Sequence, residues 1–256
     1  VPLIVHVHSC EYDRSGHGAD PRIVAIEQAG LDAARAVVCV SRYTAARLRD
    51  RYVVAEPRLR VVHNAAPRYA PPPVAELAVD DPVVLVLGRV TYQKGPAYFL
   101  EAAARVARVE PTAKFVVAGD GDLLASMIER AAALGLARRV HFTRFLAGQD
   151  VSRMYRHADV YVMPSVSEPF GIAPLEAVAH GVPVIVSRQS GVAEVLPSAL
   201  RADFWDVEDL ANKILAVLRR PALGRALAEG ARAEAAGLRW ERAAQARRGI
   251  YEELAQ

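Results

Sequence analysis

The sequence predicts an α/β protein built from two parallel sheets, each covered by helices. Three observations support this prediction. Short apolar runs typical of buried strands alternate with longer amphipathic segments along almost the whole chain. Most positions in the predicted strands are apolar, which is typical of parallel strands buried on both faces. A proline-rich interruption divides the alternation into a shorter first set and a longer second set.

The first set predicts three strands and two helices in the order β-α-β-α-β, one half of a doubly wound sheet. The predicted strands cover 1–7, 36–40 and 60–63, and the predicted helices cover 22–34 and 41–52. We therefore expect residues 1–66 to form a Rossmann-like domain. Because the chain opens on Val1 inside an apolar run, we expect this domain to be incomplete, with a further segment in front of it.

The second set predicts five strands and five helices in strict alternation, followed by a helical tail. The interruption at 67–82 holds five prolines and is expected to be an interdomain linker. Residues 83–236 are expected to form the second Rossmann-like domain. Its predicted strands are 83–87, 114–118, 139–142, 160–163 and 182–186, and its predicted helices are 96–109, 123–134, 150–157, 172–180 and 207–219. The tail, 221–256, predicts two helices around a break at Gly237 and Leu238.

Composition argues against several classes of function. The formal net charge is only +3, and acidic residues interrupt the arginine-rich pieces, so we expect no nucleic-acid partner. No apolar run approaches the roughly 20 residues that a membrane-spanning helix needs. The two cysteines, Cys10 and Cys39, have neither metal-ligand nor redox spacing, and we expect reduced thiols in a cytoplasmic protein.

The stretch from Pro164 to Glu176 is the first candidate site. A predicted buried strand precedes it, and the segment 173–180 predicts a helix that ends at Gly181. In open parallel sheets, ligands bind at such strand-to-helix turns, beyond the carboxyl ends of the strands. Three amides at the turn are expected to be free donors for phosphate or sugar oxygens, those of Phe170, Gly171 and Ile172.

Two glutamates, Glu168 and Glu176, bracket this turn and can reach one ligand above the sheet edge. The alternative interpretation is an ordinary turn with two solvated carboxylates. The coincidence of two glutamates, a glycine and internal prolines between two apolar strands favours a functional site.

A second candidate loop follows the first strand of the second domain. The segment Gly88-Arg-Val-Thr-Tyr-Gln-Lys-Gly95 places two cations, Arg89 and Lys94, between two glycines. Arginine can bind phosphate as a bidentate fork and lysine as a point charge, so the loop predicts a phosphate clamp. The alternative is a surface loop with two ordinary cations.

Together these motifs resemble those of retaining glycosyltransferases of family 4, which have the GT-B fold. Glu168-Pro-Phe-Gly-Ile-Ala-Pro-Leu-Glu176 is similar to the E-x7-E signature of that family, and the loop from Gly88 to Gly95 is similar to its phosphate-clamping loop. With His8-Ser-Cys-Glu-Tyr-Asp-Arg-Ser-Gly16, this loop most resembles the archaeal and bacterial glycogen-synthase-like branch. The resemblance runs from about His8 to the C-terminus. It implies a last helix, 237–256, that crosses back onto the first domain.

The resemblance also implies roles for the candidate residues on the donor side. Arg89 and Lys94, with Gly88, would stabilise the departing diphosphate. Glu176 would bind the vicinal hydroxyls of a ribose, and Glu168 would face the sugar ring.

Two further candidates lie away from these loops. His8 ends the first predicted strand and is expected to point into the interdomain crevice, where it could hydrogen-bond a sugar hydroxyl or the reacting oxygen. His6 is expected to be a core histidine. Phe145 and Leu146 are plausible neighbours of the nucleotide base.

We expect neither a cofactor nor a metal, because the two clamp cations would supply the charge that a metal otherwise supplies. Asp120 and Asp122 imitate an Asp-x-Asp metal motif. However, they stand between a predicted strand and a predicted helix, where aspartate is an ordinary turn or capping residue.

The expected function is transfer of glucose from UDP-glucose or ADP-glucose to an α-glucan acceptor. Two alternatives stay open. One is another hexose donor with a lipid or small-molecule acceptor, and the other is a nucleotide-sugar-binding module with little catalysis. The expected open edge of the first sheet also predicts a homo-oligomer, since unpaired edges recruit other chains.

Overall fold

The structure is a computed structural model and describes residues 2–65 and 81–255. The described residues form two parallel sheets, which confirms the predicted α/β class. Nearly all of the predicted linker, 67–82, lies outside the described residues. No helix of the described ranges is both long and apolar enough to cross a membrane.

The first sheet contains three parallel strands in the order β1-β2-β3. Its strands are β1 (Ile4–Val7), β2 (Ala36–Cys39) and β3 (Leu59–Val61), and its helices are α1 (Glu11–Ser15), α2 (Pro21–Ala33) and α3 (Arg42–Arg51). Strand β2 lies in the centre, and all of its residues are buried. Helix α3 begins after Ser41, whose hydroxyl accepts from the amide of Thr44, as predicted for an N-cap.

The second sheet contains six parallel strands in the order β6-β5-β4-β7-β8-β9. The strands are β4 (Val83–Leu87), β5 (Lys114–Ala118), β6 (Val140–Arg144), β7 (Val160–Met163), β8 (Val184–Ser187) and β9 (Leu200–Ala202). The helices are α4 (Pro96–Val109), α5 (Leu124–Ala133), α6 (Gln149–Arg156), α7 (Ala173–Ala179), α8 (Val207–Leu218), α9 (Pro221–Ala235) and α10 (Trp240–Ala255). Two apolar layers, one on each face of this sheet, form the larger part of the core.

In the first sheet, β1 begins at Ile4 and β3 ends at Val61, rather than at the predicted residues 1 and 63. In the second sheet, the predicted boundaries of two strands were wrong by two residues. Strand β8 begins at Val184 rather than at residue 182, because Pro183 has no amide hydrogen and contributes only its carbonyl, which accepts from Tyr161. Strand β6 extends to Arg144, past the predicted end at residue 142.

Helix α10 packs on the first sheet, as expected of a crossover helix. Its Ala243 and Ile250 are buried against Ala36 and Val38 of β2. At the edge of this contact the hydroxyl of Tyr251 lies 2.8 Å from Nε2 of His6. His6 is therefore half-buried under α10 and has a polar partner.

Candidate active site

The order of the second sheet sets the position of the site. The chain passes from β4 outward to β5 and β6, and then returns to the other side of β4 with β7. Such a reversal opens a crevice at the carboxyl ends of the two neighbouring strands. Strand β4 leads into the loop from Gly88 to Gly95, and β7 leads into the segment from Pro164 to Ile172. The two candidate loops therefore meet at this crevice.

One cavity lies between these two loops. Six of the predicted site residues line it: Gly88, Arg89, Lys94, Glu168, Gly171 and Ile172. The structure thus brings together residues that are about 80 positions apart in sequence. It combines two cations, one carboxylate and a glycine backbone around a small volume.

Lys94 and Glu168 form an ion pair across this cavity, from the ammonium Nζ to the carboxylate Oε2. Glu168 is only 8% exposed, and the hydroxyl of Ser165 lies 3.4 Å from the same carboxylate oxygen. The charge of Lys94 is therefore shared with Glu168. An arriving phosphate would meet a lysine that is held in place by this carboxylate.

Gly171 forms the floor of the turn in a conformation that suits glycine. Its φ is +102°, and a Cβ there would lie 3.2–3.3 Å from side-chain atoms of Met163, Val192 and Glu168. The side chain of Phe170 is 3% exposed and packs into the core, so this residue can offer a ligand only its backbone. Among the described residues, the amides of 170–172 donate no backbone hydrogen bond.

A second, largely apolar cavity adjoins the first and shares Leu87, Gly88 and Arg89 with it. Phe145 and Leu146 line its far side, and the ring of Phe145 is 77% exposed. The pair of cavities has a charged end and an aromatic end. This arrangement suits a ligand with an anionic group attached to a flat ring.

Glu176 lies on α7, behind the turn, and does not line either cavity. Its Oε2 accepts a hydrogen bond of 2.9 Å from the hydroxyl of Tyr155. Tyr155 is fully buried, and burial raises its pKa, so its hydroxyl stays protonated and donates. One oxygen of Glu176 is thereby engaged by Tyr155.

His8 is exposed at the carboxyl end of β1 and does not line the cavity that holds Arg89 and Lys94. Burial of part of the ring, together with the charge of Arg247 on α10, lowers the pKa of His8. The imidazole is therefore neutral at pH 7 and can both donate and accept a hydrogen bond.

Sequence reasoning missed Tyr161, which lines the first cavity from β7. Its hydroxyl donates to the carbonyl of Leu87 at 3.2 Å, so it ties the end of β7 to the end of β4. A tyrosine inside an otherwise aliphatic strand was the available signal, because a buried hydroxyl needs a partner.

The aspartates of the Asp-x-Asp pattern act in a turn. The carboxylate of Asp120 accepts from the amide of Gly121 at 2.8 Å. The backbone carbonyl of Asp120 accepts from the amide of Val90. Within residues 2–65 and 81–255, no group of three or more His, Cys, Asp or Glu side chains is arranged to hold a metal ion.

Comparison with known families assigns the chain to a class. The family model for glycosyl transferases of group 1 matches residues 72–234, and the model for Glycosyltransferase Family 4 matches residues 1–68. The chain belongs to the group 1 glycosyl transferases, and the predicted family 4 resemblance is confirmed at this level.

Two curated relatives are both glycosyltransferases. The chain is 41% identical over 117 residues to an uncharacterized glycosyltransferase of Methanocaldococcus jannaschii. This alignment covers 46% of the chain and 30% of the relative. It is 32% identical over 283 residues to a D-inositol 3-phosphate glycosyltransferase of Saccharomonospora viridis. This alignment covers 99% of the chain and 65% of the relative. The chain thus spans less than two thirds of the length of these relatives.

Solved structures confirm the GT-B fold. Sucrose-phosphate synthase from Thermosynechococcus elongatus superposes with a TM-score of 0.84 at 28% identity, over 98% of this chain and 67% of the other. Anabaena HepE, solved in complex with UDP and glucose, superposes with a TM-score of 0.81 at 19% identity, over 99% and 71%.

Proposed function

We propose that this protein is a retaining transferase that moves a hexose from a nucleoside diphosphate sugar to an acceptor hydroxyl. The observation that supports this most directly is the cavity at the switch point, where Arg89, Lys94 and Glu168 converge over Gly171. Two cations suit a diphosphate, and a buried carboxylate beside them suits the polar sugar. The adjoining apolar cavity suits the nucleotide base.

The donor would lie along the carboxyl edge of the second sheet. Its base would stack near Phe145, its diphosphate would lie over Gly88 and Arg89, and its sugar would lie near Glu168. Glu176, which accepts from Tyr155, would bind the ribose. Each of these groups is on a loop or helix that the sheet holds in place.

The chemistry asks the protein to stabilise a departing diphosphate. As the bond between the anomeric carbon and the phosphate oxygen breaks, negative charge grows on that oxygen. Arg89 can bind it as a fork, and Lys94 can add a point charge while it keeps its contact with Glu168. The acceptor hydroxyl then bonds to the anomeric carbon and passes its proton to the leaving phosphate oxygen, so no side-chain base is required.

We infer a small hydroxylated acceptor rather than an α-glucan. The alignment with the D-inositol 3-phosphate glycosyltransferase covers 99% of the chain, and a 2-deoxystreptamine glucosyltransferase of Streptomyces kanamyceticus aligns over 86% of it. The names of both relatives specify small cyclic acceptors. The α-glucan acceptor suggested by the glycogen-synthase-like motifs is the second candidate.

Radiolabelled transfer tests both parts of the proposal. We expect the purified chain to convert UDP-[14C]glucose or ADP-[14C]glucose into a labelled product when inositol phosphate or an aminocyclitol is offered. Label in glycogen instead would support the second candidate. In a third outcome, the chain binds UDP by calorimetry but labels none of these acceptors. In that case it is a binding module, and the proposal of transfer is wrong.

Replacing Lys94 with alanine should weaken UDP binding by about 1.5–3 kcal/mol, the usual loss for a hydrogen bond to a charged group. The loss should lie at the upper end, because the variant leaves Glu168 unpaired beside the diphosphate. Calorimetric titration measures it. Lys114→Ala is the matched control, since Lys114 begins β5 at the opposite edge of the sheet and pairs with Asp81. Equal affinities for both variants would contradict the clamp assignment.

EDTA should leave UDP affinity and sugar transfer unchanged. The reason is the pair of cations, Arg89 and Lys94, at the position where a metal would otherwise bind the diphosphate. The same titration with and without EDTA checks this expectation. The opposite result would be UDP binding and transfer that strictly require Mn²⁺ or Mg²⁺ and are lost in Asp122→Asn. That result would mean that the Asp-x-Asp pattern binds a metal.

A further inference from the structure

Asp13 is a buried carboxylate for which the proposed chemistry has no use. It lies on α1, just after His8, and is 2% exposed. One oxygen accepts from the amide of Cys10 at 2.8 Å and from its thiol at 3.2 Å. The other oxygen accepts from the hydroxyl of Ser167 at 2.6 Å, and Arg47 approaches it to 3.7 Å. A buried charge is costly unless it is well bonded, and these contacts stabilise the carboxylate of Asp13 in its buried position.

Ser167 belongs to the second sheet's crevice and directly precedes Glu168. Its single hydroxyl proton goes to Asp13, so the hydroxyl of Tyr43 must be the donor in the 3.0 Å contact between Tyr43 and Ser167. Burial raises the pKa of Tyr43, which keeps that phenol protonated. Two groups of the first domain, one on α1 and one on α3, therefore hold the residue next to Glu168.

The loop from Gly88 to Gly95, called the clamp loop below, also contacts Ser167 and its neighbour Val166. The side-chain amide of Gln93 donates to the carbonyl of Ser167 at 3.0 Å, and the amide of Val166 donates to the carbonyl of Gln93 at 2.9 Å. Next to α1, a Cβ on Gly16 would lie 3.1 Å from the ring of Tyr92. The α1 segment thus contacts both the loop that carries Lys94 and the loop that carries Glu168.

We propose that Asp13 is a positioning residue that holds Glu168, through Ser167, in the geometry required for sugar transfer. The position of Glu168 then depends on a contact that comes from the first domain. The proposal rests on the proposed transferase function, since it assigns Glu168 a place beside the donor sugar.

Asp13 is not the only link between the domains, so its loss should not undock them. The carboxylate of Glu194 accepts from the amides of Arg42 and Tyr43 at 3.0 and 2.6 Å, and it lies 2.9 Å from Nε2 of His63. The hydroxyl of Ser41 donates to the carbonyl of Pro169. With these contacts intact, removing the Asp13–Ser167 bond should act on the Glu168 loop rather than on docking.

The test compares Ser167→Ala, Asp13→Ala, their double variant and the conservative Asp13→Asn. Asparagine can donate to Ser167, which reverses the bond and keeps its geometry, so Asp13→Asn should retain most of the turnover. Each alanine variant should lower kcat by about 10- to 100-fold, with the donor KM within about threefold of the wild type. The double variant should lose clearly less than the sum of the two single losses, because the Asp13–Ser167 bond is common to both.

Hydrogen exchange gives a readout that does not depend on turnover. The amides of 165–171 should exchange at least about tenfold faster in the alanine variants, as expected when a loop loses its contacts. Matched controls are Ser126→Ala, in the first turns of α5, and Asp50→Ala, at the exposed end of α3. Both controls should leave exchange and kcat unchanged.

Three results would overturn the positioning role. They are unchanged exchange at 165–171, additive losses in the double variant, or a KM increase that matches the whole loss of kcat/KM. If the wild-type chain transfers no sugar from any donor, the proposed function fails, and hydrogen exchange alone decides whether Asp13 holds the loop.

Discussion

Replacing Gly95 with alanine should lower the free energy of unfolding by about 2–5 kcal/mol, the combined cost of a left-handed side chain and an overpacked contact. Gly95 ends the clamp loop with a φ of +64°, and a Cβ there would lie 2.1 Å from the carbonyl oxygen of Pro164. Because both partners are backbone, neither can rotate away. One of the two loops must therefore shift, and the site between them should open.

Gly135→Ala is the matched control for this prediction. Gly135 has a φ of +73°, but nothing lies within 4 Å of the position of its Cβ. Its substitution should cost only the backbone strain, about 1–2 kcal/mol. Urea denaturation measures both variants. Equal losses would mean that the close approach of Gly95 to Pro164 contributes nothing to stability.

Much of the second sheet could be predicted from sequence because local signals and burial agree there. Strand β4 and helix α4 have the predicted boundaries, 83–87 and 96–109. The strand is an uninterrupted apolar run, and the helix begins at Pro96, a residue that suits the first helical position. Where propensity, pattern and capping point to the same element, its limits can be read from the sequence.

The elements that were missed depend on tertiary contacts. Strand β9 is three residues long and includes Arg201, so it has no pattern of its own and exists because β8 offers it a partner. Helix α1 has five residues and lies within the His8 motif, whose helical nature was not predicted. Its Asp13 bonds to Cys10 at one end and to Ser167, 154 residues away, at the other.

The sequence singled out the candidate site residues but not the pairs that they form in the structure. The glycines and cations of the clamp loop and the two glutamates of the turn are visible as local motifs. In the structure, Lys94 pairs with Glu168, and Tyr155 donates to Glu176. These pairs follow from the order of the strands rather than from spacing in the sequence. The chain reverses at β4, and a switch point joins loops that no local pattern connects.

Glu168→Gln should lower the rate of sugar transfer by about 100-fold, the usual loss for one electrostatic group at the reacting centre. In our proposal the sugar lies beside Glu168, and positive charge develops on its ring as the bond to phosphate breaks, as in other glycosyl transfers. A buried carboxylate at 8% exposure stabilises that charge strongly, because water does not screen it. Glutamine keeps the shape of the side chain and removes the charge.

The same variant should bind UDP as tightly as the wild type or more tightly, because UDP carries the diphosphate but not the sugar. Without the carboxylate, the charge of Lys94 is no longer shared and faces the phosphates fully. Opposite changes in turnover and UDP affinity would distinguish a charge that acts on the sugar from one that only holds Lys94. Glu129→Gln, on the exposed face of α5, is the control and should change neither quantity. If Glu168→Gln weakens UDP binding as much as it slows transfer, Glu168 serves the clamp, and its place beside the sugar is wrong.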